Sequence, residues 1–234
     1  MDELFEKRKK IIYEFICDEF YVPMKLKELS MLLQVPKDQK GELKAVMDSF
    51  ARGIRAYSEK EKEKTGEMLY EHLSHRLKAE DSMKEKLTRK GFPLTAESAF
   101  YAVKDAIGFR LVCRFVDDIY ENVSRLKALP GVVVVKEKDY IKNVKPNGYR
   151  SYHMILDVTA PYEDARGRDP GHFFIEIQLR TIAMDSWAAL EHEMKYKHEV
   201  ENAALVSREL KRCADELASC DLSMQTIRNL IRKM

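Results

Sequence analysis

KDAIGFRLVCRFVDDIYENVSRLKALPGVVVV, residues 104–135, holds a strand, a helix and a second strand in unbroken succession. Gly108 to Phe115 is a β-branched and aromatic run, the composition of a strand. From Asp117 the period changes. Ile119, Val123, Leu126 and Leu129 recur at helical spacing, and Pro130-Gly131 stops the helix and turns the chain. The four valines Val132 to Val135 then read as a buried strand.

Working outward, a polar loop spans 139–148, followed by strands at 151–158 and 173–179. TAPYEDARGRDPG, residues 159–171, is turn-rich and joins them as a long hairpin loop. Helices are expected over 181–197 and 203–232. Upstream, 69–91 reads as helical until Gly91-Phe92-Pro93, and Thr95 with Ser98 begins a helix running toward Lys104. The charged stretch 52–68 is an exposed helix or linker, and residues 1–50 read as three short helices in a helix-turn-helix arrangement. Four strands interleaved with helices predict an α/β (α+β) fold, a mixed sheet flanked by helices. The expected division is a helical extension, 1–50, and a main domain, 51–234.

Composition narrows the function. Of 234 residues 45% are hydrophobic and 34% charged, enough for a real core under a well-solvated surface. Nine Gly and seven Pro exclude a collagenous or low-complexity chain. No run approaches the roughly 18 apolar residues of a membrane span, and Met1 to Lys10 lacks the apolar centre of a signal peptide. Cys17, Cys113, Cys213 and Cys220 form no C-x-x-C pair, which fits reduced thiols in a cytoplasm. The net charge of +2 does not by itself argue for nucleic-acid binding. Basic residues concentrate locally, from Arg76 to Lys90 and from Lys136 to Arg150, which points to a phosphate-rich small ligand or to two solvated faces.

Asp105 stands where a helical pattern gives way to a strand, and Glu176 lies inside the apolar strand FFIEIQL, residues 173–179. A carboxylate in such a strand either alternates outward or is paired. Two carboxylates brought together by neighbouring strands suit Mg²⁺, which takes one or two of them together with substrate phosphates. Pro146-Asn147-Gly148 is a turn sequence presenting Tyr149 beside Arg150 and His153, a ring among cations that suits a flat base above phosphates. Ser82, Lys86 and Lys90 follow one another at i,i+4 in the basic segment. No P-loop, zincin, nucleophile-elbow or dinucleotide-binding motif occurs, so any phosphate grip must come from side-chain charge.

In order and spacing, HRLKAEDSMKEKLTRKG (75–91), KDAIGFRLVCRFVDDIY (104–120), KDYIKNVKPNGYRSYH (138–153) and EIQLRTIAMDSWAALEH (176–192) together resemble the synthetase domain of RelA/SpoT-type alarmone synthetases, especially the small members without a hydrolase domain. The resemblance covers about residues 55–230. It implies a nucleotidyltransferase-like mixed sheet and transfer of pyrophosphate from ATP to the ribose 3′-hydroxyl of GTP or GDP, giving (p)ppGpp and AMP. It further implies Mg²⁺ on Asp105, with Glu176 assisting the metal or acting as base. Arg76 and Arg110 would sandwich the adenine, and Lys78, Ser82 and Lys86 would lie along the ATP phosphates. Tyr149 would stack on the guanine, with Lys142, Asn147, Arg150, His153 and Gln178 lining the acceptor site and Arg180 completing the EIQLRT motif.

The family's D-I-A-G-x-R pattern reads Asp105-Ala106-Ile107-Gly108-Phe109-Arg110 here, with the charged groups and the glycine in place. His75 replaces a small residue common in relatives, a change expected to alter the ATP pocket. The first fifty residues resemble the N-terminal winged-helix segment of ribonuclease R proteins, which implies RNA contact, a dimerisation element or a helical prop. The helix 203–232 resembles the segment through which small synthetases form homotetramers, or else packs on its own sheet. The rival readings are a toxin-like relative that makes adenosine alarmones or modifies the 3′ end of tRNA, and an inactive RNA-binding regulator.

Overall fold

Alternation along the strands places the site, because it gives one sheet an apolar face and a polar face. The computed structural model describes residues 39–197 and 203–233; the expectations for the helices before residue 39 lie outside the described residues. The chain divides into compact units Met1–Gly41 and Glu42–Met234. In order come α1 (Gln39–Thr65), β1 (His72–Leu77), α2 (Glu80–Arg89), a π-helical turn (Ser98–Ala102), β2 (Ile107–Cys113), α3 (Val116–Lys127), β3 (Val132–Asp139), β4 (Tyr152–Ala160), β5 (Gly171–Thr181), α4 (Ile182–Lys197) and α5 (Ala203–Ile231). The sheet order is β1-β2-β5-β4-β3, with β2 and β5 parallel and every other pair antiparallel.

Three expectations about the elements need correction. The sheet has five strands, since HLSHRL within the expected helix 69–91 is β1, and only Glu80–Arg89 of that stretch is helical. Leu73, His75 and Leu77 alternate inward there, a period of two that the flanking charged run conceals. The valine strand is not buried but forms the sheet edge, with Val133 and Val135 64% and 43% exposed. Val132 and Val134 pair toward the core, and a bulge before Lys136 then turns Lys136 and Lys138 onto the opposite face. Finally, the helix expected at 39–50 and the exposed stretch after it are one helix, so the expected boundary at 50/51 falls inside α1.

α1 and α3 cover the apolar face. Val46, Phe50 and Ile54 of α1 and Ile119 and Leu126 of α3 join Ile107, Leu111, Met154, Leu156, Ile175, Ile177 and Leu179 of the strands in one core. Burial of each such chain is worth about 1.5–3 kcal/mol. His75 belongs to this side: its ring lies 5.2 Å from that of Phe109 and its Nδ1 is buried without a partner. It therefore does not line the face that carries Arg76, contrary to the expected effect on the nucleotide pocket. α5 packs on α4 through Trp187, Ala188, Leu210 and Ala214, and reaches the start of α3, where Arg228 binds Asp117 and Asp118.

Candidate active site

The opposite face of the sheet is polar, and the strand register shows how its groups adjoin. Across the strands run Arg76, Gly108 and Glu176 in one row and Arg110, Gln178, His153 and Lys138 in the next. Gly108 contributes no side chain, so the surface between Arg76 and Glu176 stays open.

At one end sits Asp105, 9% exposed, just before β2. It follows Lys104, whose φ of 59° is the one positive value outside glycine among the described residues. Such a backbone stores about 1–3 kcal/mol and marks a site where the surroundings dictate conformation. Asp105 Oδ2 accepts from Lys78 Nζ at 2.6 Å and also from Lys86 Nζ. Lys78 arrives because β1 runs antiparallel to β2 and its end is tied by Lys78 N to Ala106 O at 2.9 Å. Lys86 arrives because Met83 and Leu87 bury one side of α2 against Val103 and Ala106. Burial raises the pKa of Glu176, the charge of Asp105 raises it further, and Lys86, Lys78 and Gln178 oppose the shift. The Oδ1 atom of Asp105 is buried with no partner. That orphaned oxygen, electrostatically coupled to a second carboxylate, fits a hard divalent cation completed by substrate phosphates. Among the described residues no cluster of three His, Cys, Asp or Glu could hold a metal unaided.

At the other end a turn presents aromatic rings and cations. Asn147 Oδ1 accepts from Tyr149 N at 3.2 Å, while its Nδ2 donates to Glu191 of α4 at 3.1 Å. Gly148 has φ +89° and lies against α5. Arg180 donates to Tyr149 Oη and to Gln178 Oε1, each at 2.8 Å, and Tyr149 Oη lies 2.8 Å from His153 Nε2. Burial, then Arg180, Lys145 and Lys138, depress His153 to about 4, so the ring is neutral near pH 7. Tyr149 Oη thus meets both the Arg180 guanidinium and the His153 ring. The other ring nitrogen, Nδ1, lies 4.0 Å from Glu176 Oε1. Lys145 Nζ lies 4.5 Å and 4.6 Å from the ring centroids of Tyr140 and Tyr149. This end of the face offers aromatic surface and positive charge together, the chemistry of a nucleotide.

Asp105, Glu176, Lys78 and Lys86 are thus brought together, as are Tyr149, His153 and Gln178. Arg76 and Arg110 share the polar face on adjacent strands, and Arg110 Nη1 lies 3.3 Å from Asp185. Ser82 is exposed on α2, one turn before Lys86. Two expected acceptor residues point elsewhere. Arg150 donates to Ala214 O at 3.1 Å and pairs with Asp215 at 2.9 Å, which turns it onto α5. Lys142, 72% exposed, lies over the ring of Tyr120 on α3. Lys145, Tyr140 and Asp185 had no assigned role; all three stand in the quoted motifs, but nothing local distinguishes them from their neighbours.

The family model described as a region found in RelA / SpoT proteins matches residues 75–201. The chain belongs to the RelA/SpoT family. Among its RelA/SpoT relatives, GTP pyrophosphokinase YwaC of Bacillus subtilis (strain 168) is 36% identical over 187 residues, 79% of this chain and 87% of that protein. GTP pyrophosphokinase YjbM of the same organism is 34% identical over 182 residues, 78% and 82% of the two chains. The crystal structure of small alarmone synthetase 2 from Bacillus subtilis superposes with a TM-score of 0.70 at 35% identity, over 82% of this chain and 99% of that one. Small alarmone synthetase 1 from Bacillus subtilis bound to its product pppGpp gives 0.69 at 30% identity, over 86% and 98%. The nucleotidyltransferase-like mixed sheet expected from the sequence is the fold these RelA/SpoT structures share with this chain.

Proposed function

We propose that the protein transfers pyrophosphate from ATP to the 3′-hydroxyl of GTP or GDP, giving (p)ppGpp and AMP. The observation that carries the reading is the polar sheet face itself. Paired carboxylates among lysines occupy one end, and an aromatic, cationic pocket the other. The relatives named GTP pyrophosphokinase and the related structure bound to pppGpp support it. Arg76 and Arg110 would flank the adenine, Lys78 and Lys86 would take the ATP phosphates, and Tyr149 would stack on the guanine with Lys145 near the acceptor's phosphates. The 3′-oxygen attacks the β-phosphorus, the bond from that phosphorus to the oxygen of AMP breaks, and Glu176 takes the hydroxyl proton. The raised pKa of Glu176 suits a base. Asp105 would hold Mg²⁺, which when bound neutralises developing phosphate charge, and assisting that ion is the alternative role of Glu176.

We place the enzyme in the cytoplasm on its unpaired, exposed Cys213 and Cys220. A homotetramer is supported by Leu222, Ile227, Leu230 and Ile231 of α5, each more than half exposed, and light scattering tests it. The test of activity offers γ-³²P-ATP and Mg²⁺ with GDP, GTP, ATP or deacylated tRNA in separate reactions. Label on a guanine nucleotide with release of AMP is expected. Label only on tRNA or on adenine nucleotides, or no transfer by folded protein, overturns the reading.

A further inference from the structure

Asp185 belongs to neither nucleotide pocket, yet it touches a group from each. It lies in the first turn of α4, where Thr181 Oγ1 accepts from Met184 N at 3.1 Å, so the helix start that carries it is capped and positioned. Its Oδ1 accepts from Arg180 Nη1 at 2.9 Å and stands 3.3 Å from Arg110 Nη1. The two arginines differ in freedom. Arg110 is 44% exposed on the adenine side of the face, whereas Arg180 is 7% exposed and its Nε is buried without a partner. A buried guanidinium needs its carboxylate, so Arg180 is oriented chiefly by Asp185. Its other nitrogen holds Tyr149 Oη and Gln178 Oε1, both at 2.8 Å. An unbroken polar chain, Arg110–Asp185–Arg180–Tyr149, therefore crosses the face from the donor pocket to the acceptor pocket.

We infer that Asp185 is a positioning residue coupling the two nucleotide pockets, so that occupation of one arranges the other. The inference rests on the reaction proposed above. One carboxylate oxygen is shared by both arginines. When Arg110 turns its plane onto a base, the oxygen is released wholly to Arg180, which tightens the grip on the Tyr149 phenol. Linkage requires the effect to be reciprocal: the acceptor must strengthen ATP binding by the same factor.

The test is calorimetry on the full chain, titrating GDP with and without α,β-methylene ATP. In the wild type the analogue should tighten GDP about fivefold, and GDP should tighten the analogue equally. In Asp185→Asn, which keeps the shape but not the charge, the coupling should fall below about twofold while thermal unfolding stays cooperative. A purely structural role would lower the melting temperature and leave the coupling factor intact. Should that variant not fold, Arg110→Gln on the exposed strand surface decides: it should remove the coupling and change GDP affinity through the lost ion pair with Asp185. Coupling absent from the wild type, or retained in Asp185→Asn, or unchanged GDP binding and coupling in Arg110→Gln, overturns the inference. Wild-type protein that couples the two nucleotides but makes no alarmone would instead refute the reaction.

Discussion

Gly148→Ala should cripple acceptor binding while sparing ATP, and the magnitude can be worked from two features of the glycine. Its φ of +89° lies in the left-handed region, where an L-residue is destabilised by roughly 1–2 kcal/mol. A Cβ there would stand 2.6 Å from Ala214 Cβ and 3.3 Å from Lys211 Cα, whereas carbon atoms prefer about 3.5–4.0 Å. Neither neighbour can rotate aside, because one is a methyl stub and the other is backbone. Both sit in α5, held by Trp187 Nε1 donating to Leu210 O at 2.8 Å. The loop must therefore retreat by about 1 Å, which loosens the Arg150 contacts to Ala214 and Asp215 and misplaces Tyr149. Re-forming it on binding should require about 2–3 kcal/mol, at tenfold per 1.4 kcal/mol a 30- to 150-fold rise in acceptor KM. Initial-rate kinetics with each substrate varied in turn measure this, with calorimetry of an ATP analogue alone as the control. Adding Ala214→Gly removes the overlap but not the left-handed strain, so the double variant should recover part of the loss. That second change should itself lower Tm by a few degrees through about 1 kcal/mol of helix propensity. An acceptor KM for Gly148→Ala within about threefold of wild type would refute the argument that α5 holds this loop in place.

Asp105→Asn and Glu176→Gln should each lower turnover by at least about 10²-fold with circular dichroism unchanged, and a near-normal rate in either variant removes that residue from the chemistry. Glu176→Gln should also raise Tm at pH 8. Because the folded pKa of Glu176 is raised, its contribution is favourable below the ordinary carboxylate pKa and is lost as pH rises through the shifted value. The gain should vanish near pH 4, and a variant less stable than wild type at both pH values contradicts the burial of this carboxylate. His153, depressed from 6.5 to about 4, should show no imidazole titration by NMR between pH 5.5 and 8. Its contribution to stability is present above pH 6.5 and is lost toward pH 4, so His153→Gln should flatten the acid limb of the stability profile.

Much of the fold could be read from periodicity. The core strand of Glu176 and the helix after Phe115 stand within a residue or two of their expected places, because each carries one unambiguous period over its whole length. β1 was hidden because its six residues alternate inside a longer charged stretch that also satisfies a helical count. The valine run was misplaced because four apolar residues describe a central strand and an edge strand with a bulge equally well. Residue type and motif mark Asp105, Glu176, Lys78, Lys86, Tyr149, Arg150 and His153 as candidates, but the contact that turns Arg150 onto α5 is not legible there. Its partner Asp215 lies 65 positions away on α5, beyond any local pattern.

By itself the sequence determined which side chains alternate on each strand, where charge and turns fall, and the motifs that mark the family. Those are properties of neighbours along the chain, where steric period and propensity act directly. Only tertiary structure decided which strands lie side by side. Cross-strand register places Gly108 between Arg76 and Glu176, turns His75 behind the sheet, and lets one carboxylate, Asp185, meet arginines from two strands. The site is made of groups far apart in the chain, joined because burying the apolar face of all five strands leaves their polar face as a single surface.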